Sequence, residues 1–73
     1  MLLYDTKKGK IVNFDLTFKL TAETEGDLIA WAEDDHRYCL IGSYKDRDTA
    51  KKVVDQIVAA YERNEKIFIM PEE

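Results

Sequence analysis

A single cysteine, Cys39, and a single histidine, His36, stand in a chain of 73 residues. One cysteine excludes an internal disulfide, and together the two cannot supply the four ligands of a structural zinc site. A lone thiol suits a reducing compartment, so the expected localisation is cytoplasmic. Glycine is scarce as well. The three glycines, Gly9, Gly26 and Gly42, are isolated, which excludes a glycine-rich phosphate loop. No apolar run approaches the roughly 18 residues of a membrane span. At the N-terminus the apolar residues precede the basic ones, the reverse of a secretory leader. Positive charge is outweighed: the net charge is −4, which argues against nucleic acid as a partner, since sequence-independent binding needs a basic face.

What is present is enough for one domain, residues 1–73, with a modest core. Chains this short usually gain stability from staples or from association. With staples excluded, a homodimer or higher homo-oligomer is the expected route to extra burial.

Residues 12–22 alternate strictly: Val12, Phe14, Leu16, Phe18, Leu20 and Ala22 are apolar, and the residues between them are polar. Period two predicts a strand with one buried face. Eleven residues would extend roughly 36 Å at ~3.3 Å each, long for so small a chain. A bend or bulge is therefore expected near residues 13–16. Residues 1–5 form the preceding strand. Lys7, Lys8 and Gly9 suit a three-residue hairpin loop that sets Tyr4 opposite Val12 and Leu2 opposite Phe14. After a turn at Gly26, residues 27–33 and 36–44 predict a hairpin turning at Asp34 and Asp35, with Trp31 opposite Tyr38 and Ile29 opposite Leu40. Its other face carries Leu28, Ala30, Cys39 and Ile41. Antiparallel sheets commonly keep one wet face, and this hairpin has none.

A helix follows Tyr44. Asp46 is its expected N-cap, Asp48 adds charge to the first turn, and Ala50, Val53, Val54, Ile57 and Tyr61 form its apolar stripe. Asn64 is the expected C-cap. Residues 66–70 predict a short fifth strand stopped by Pro71. The fold class is thus α+β: a curved antiparallel meander of about four strands, one C-terminal amphipathic helix packed on it, and a closing fifth strand. The helix is expected over Phe18, Leu20, Ile29, Trp31, Tyr38 and Leu40.

One segment carries a resemblance. Ile41, Gly42, Tyr44, Asp46, Ala50 and Val53, with Met70 and Pro71 later, are similar to a pattern of small uncharacterised proteins of Gram-positive bacteria and their phages. That pattern reads (L/I)-G-x-Y-x-(S/T/D)-x-x-x-A-x-x-(V/I), with a closing M-P. The match covers less than half of the chain. It implies a phage or mobile-element origin and brings no activity with it.

The side chains that carry chemistry are few. His36 and Cys39, three apart on one strand, point to opposite faces, so no nucleophile–base pair is expected. Glu33, Asp34 and Asp35 lack the alternating spacing and glycine of a calcium loop. A sheet tryptophan such as Trp31 stacks bases in RNA-binding modules, but here its neighbours are acidic and a packing role is expected. No enzyme activity, metal or cofactor is expected. The two-sided hairpin instead points to a non-enzymatic protein-interaction module, self-associating, with Leu28, Ala30, Cys39 and Ile41 as the candidate interaction patch. A phage-type modulator of a host protein is one form of such a module. The alternative is an oligomeric binder of a small anionic ligand, a phosphate or nucleotide. It would use Lys7, Lys8, Lys10, Lys45, Arg47, Lys51 and Lys52 converging between subunits.

Overall fold

The computed structural model describes residues 1–32 and 37–72. The expected turn at Asp34 and Asp35, together with Glu33 and His36, lies outside the described residues. The architecture is α+β: two three-stranded sheets and one helix around a shared core.

The first sheet holds β1 (Leu2–Asp5), β2 (Lys10–Asn13) and β6 (Ile67–Ile69) in the order β2-β1-β6, with β6 parallel to β1. The second holds β3 (Lys19–Ala22), β4 (Asp27–Trp31) and β5 (Tyr38–Ser43), antiparallel and in sequence order. The chain passes between the sheets where the bend was expected, but as a full break. Phe14–Leu16 is a 3-10 turn. The Asn13 side chain accepts from the Asp15 N–H at 3.0 Å, and the Thr17 hydroxyl donates to the Asn13 carbonyl at 3.1 Å. These local bonds compete with a strand ladder and end it. Val12, Phe14, Leu20 and Ala22 still pack on the core, whereas Leu16 and Phe18 are turned out.

The β1–β2 register differs by one residue from the expected one. Leu3 faces Val12 and Tyr4 faces Ile11. The cause is Asp5, a buried carboxylate that accepts from the N–H groups of Lys7 (3.1 Å) and Lys8 (3.4 Å). This aspartate turn lengthens the loop to residues 6–9, with Gly9 in the left-handed region at φ 65°. A one-residue slip exchanges faces, so Leu3 enters the core and Leu2 and Tyr4 turn outward.

The β4–β5 register is the expected one: Trp31 faces Tyr38 and Ile29 faces Leu40. A bulge then inserts Ile41 between Leu40, opposite Ile29, and Gly42, opposite Leu28.

The helix α1 (Arg47–Glu62) begins at Asp46, whose carboxylate accepts from the Thr49 N–H and hydroxyl, both at 2.8 Å. It ends in a Schellman turn. Asn64 sits at φ 59°, its N–H donates to the Tyr61 carbonyl at 3.0 Å, and the Glu65 N–H reaches the Ala60 carbonyl at 3.2 Å. Ala50, Val53, Ile57 and Ala60 are buried. Complete burial of Ile57 stabilises by roughly 2–3 kcal/mol before ordering costs. Tyr61 stays half outside, edge-on to Phe14 at 5.5 Å between ring centroids.

Candidate functional site

The helix covers the opposite face of the second sheet from the one expected. Leu28, Ala30 and Ile41, three of the four residues of the expected interaction patch, are 0, 5 and 1% exposed. They share one core with Leu3, Ala50, Val53, Ile57 and Met70, while Cys39 is half-buried at its margin. The reason is chemical. Leu28, Ala30 and Ile41 carry no side-chain polar atom, and the bulge directs Ile41 inward. Trp31 has an indole N–H that needs a partner, and it finds the Thr21 hydroxyl at 2.8 Å on the outer face. Leu20, opposite Ala30, also turns to the helix side.

The pattern that carries the sequence resemblance has a structural basis here. A Cβ on Gly42 would lie 2.8 Å from the Tyr44 ring, so glycine makes room for the buried tyrosine. The Tyr44 hydroxyl donates to the Pro71 carbonyl at 3.0 Å. Gly26, at φ 99°, lies against the Tyr44 backbone, whose N–H donates to the Gly26 carbonyl at 2.9 Å. The I-G-x-Y segment thus fastens the C-terminal residues to the β5–α1 corner.

The seven basic residues do not gather within one chain. Lys7 and Lys8 border a cavity of about 370 Å³, shared with Asp5, Tyr44, Pro71 and Glu72. The two carboxylates there offset the lysine charge. The Lys10 amine donates to the Leu40 carbonyl at 3.3 Å and bridges the two sheets. Arg47 lines a different cavity, beside Glu23. Lys45, Lys51 and Lys52 are exposed around the start of α1, where the Thr49 N–H is already taken by Asp46. That bond lowers the Asp46 pKa below the usual carboxylate range. Among the described residues no group of three histidine, cysteine or acidic side chains is placed to hold a metal ion. No described helix is long and apolar enough to cross a membrane.

What the outer faces present is apolar. At the end of the second sheet, Trp31 and Tyr38 lie 5.1 Å apart between ring centroids, and the Lys19 ammonium sits 5.1 Å from the Trp31 ring centre. Beside them opens a groove of about 340 Å³, walled mainly by apolar residues such as Val12, Leu16, Trp31 and Tyr38, with Asn13, Thr17 and Arg37 also in its lining. Leu16, Tyr38 and Phe18 are 79, 64 and 59% exposed, and the Phe18 N–H donates to the Trp31 carbonyl at 2.9 Å. The first sheet has a second apolar face, of Leu2, Tyr4, Ile11, Ile67 and Ile69, set on one side by the β1–β2 and β1–β6 registers. Sequence reasoning missed this face. Its signal was Ile11 beside Val12, two adjacent apolar residues that no single-faced strand requires.

Comparison of the chain with protein-family models, with curated proteins and with solved structures finds no match.

Proposed function

We propose that the chain is a non-enzymatic, self-associating interaction module that engages another protein through the groove at Trp31 and Tyr38. The observation behind this reading is the exposure of Leu16 and Tyr38, which line that groove, and of Phe18, whose N–H bonds to the Trp31 carbonyl. Large apolar side chains gathered on a surface favour a partner that removes them from water. Aromatic residues at the mouth of a pocket are the usual anchors of protein interfaces. The net charge of −4 speeds encounter with a partner of net positive charge, while the groove itself is flanked by Lys19 and Arg37. A host nucleic-acid-binding protein would carry such a charge, and this chain would act as its modulator.

The test is co-purification from host cells of wild type and of Tyr38→Asp. Tyr38 is exposed, so the variant should keep the wild-type circular dichroism. The reading expects a stoichiometric protein bound to wild type and absent from the variant. Equal recovery of that protein by both chains, or a wild type that comes out alone, counts against it.

A further inference from the structure

We propose that two copies of this chain join along β6, antiparallel about a twofold axis through Phe68, so that two three-stranded sheets become one continuous sheet. This inference deepens the self-association part of the proposed function. It uses a surface separate from the Trp31–Tyr38 groove, so either can fail without the other.

Among the described residues β6 hydrogen-bonds on one side only, to β1. In that parallel ladder the Leu2 N–H donates to the Lys66 carbonyl and the Met70 N–H to the Tyr4 carbonyl, both at 2.8 Å. Lys66, Phe68 and Met70 therefore turn their backbone groups toward β1. Backbone groups alternate along a strand, so those of Ile67 and Ile69 turn to the open edge. An unpaired edge of this kind is a template for another strand. An antiparallel copy centred on Phe68 sets Ile67 opposite Ile69 of the second copy, and the reverse. Both pairings fall on outward-facing backbone groups, so each forms a hydrogen-bonded pair. The contact is self-complementary, as a twofold interface requires.

The side chains favour the same arrangement. Ile67 and Ile69 are 52 and 61% exposed, on an outer face that continues through Tyr4, Leu2 and Ile11. In the dimer the isoleucines of both copies lie side by side on this face. Charge selects the direction. Lys66 precedes the strand and Glu72 follows it, both exposed. Antiparallel pairing keeps the two Lys66 side chains apart, whereas parallel pairing would align like with like; Glu72 of each copy stays with its own Thr6 hydroxyl at 3.3 Å. Pro71 has no N–H and closes the ladder, which holds it to one short register. The buried area stays in the class below roughly 1,200 Å² in total, so association is weak and depends on concentration.

Sedimentation equilibrium between about 10 µM and about 1 mM brackets the affinities of such interfaces. The mass should rise from the 8.5 kDa protomer toward twice that value. Ile69→Lys should hold the protomer mass throughout with unchanged circular dichroism. Amide exchange of the wild type gives a readout that needs no variant. The Ile67 and Ile69 amides should exchange freely in dilute solution and become at least tenfold slower when concentrated. The Phe68 and Met70 amides should be protected at both concentrations. A mass that stays at one protomer overturns the proposal. So does a dimer whose Ile67 and Ile69 amides stay unprotected, or one that Tyr38→Asp abolishes and Ile69→Lys does not.

Discussion

The two sheets carry the same number of strands and divide the work unevenly. The second sheet gives its inner face to α1 and holds Leu28, Ala30 and Ile41 in the core. The first sheet contributes Leu3, fully, and Val12 and Phe68, partly, and leaves an isoleucine-rich face outside. Both sheets have an apolar outer face, but with different chemistry. The second sheet's is aromatic and rimmed by Lys19. The first sheet's is aliphatic and ends at an open strand edge. Two apolar faces on a strand thus identify neither the core nor the interface by themselves. The positions of polar atoms, such as the Trp31 indole N–H, decide between them.

Truncating the helix-covered face should break the asymmetry most. Ile57→Ala is expected to cost about 3–4 kcal/mol in urea denaturation, by lost transfer energy and a residual cavity. Ile11→Ala, on the outer face of the first sheet, should stay within about 0.5 kcal/mol. Comparable costs for the two would erase the distinction between the faces. Next in size is the corner that joins the sheets. Gly26→Ala places a Cβ against the Tyr44 carbonyl at a φ of 99° and should cost about 2 kcal/mol or more. Tyr44→Phe removes the hydroxyl bond to Pro71 and should cost about 1 kcal/mol. It should also raise amide exchange at Met70, because the C-terminal residues are held there.

The smallest effect separates α1 from the sheets. The Asp46 pKa is lowered, first by the Thr49 backbone N–H and next by the Thr49 hydroxyl. A lowered folded-state pKa contributes stability that is present above the unfolded pKa. That stability is lost as the pH falls through the folded value. Asp46→Ala should therefore be destabilised relative to wild type at neutral pH. The gap should close in acid, below the usual carboxylate range. A gap that persists unchanged in strong acid would remove the carboxylate from the cap.

Legibility followed the same division. The β4–β5 register came from alternation, and α1 with its caps came from Asp46, the apolar stripe and Asn64. In these elements the deciding forces are local. The break at residues 13–16 was legible as a strand too long for its domain, but its division of the chain between two sheets was not. The β1–β2 register turned on one buried side chain, Asp5, that chose a longer loop than glycine placement alone suggests. The side taken by the helix depended on the Ile41 bulge and the Trp31–Thr21 bond. Neither leaves a periodic trace, so three of the four residues read as the interaction patch became core, with Cys39 at its margin.

The most direct test of which faces are inside is methyl NMR of a dilute sample with a soluble paramagnetic agent. The account predicts strong attenuation of the Ile11, Ile67 and Ile69 methyls and none at Leu28, Ile41 and Ile57. Attenuation of Leu28 and Ile41, with the first-sheet isoleucines protected, would contradict it.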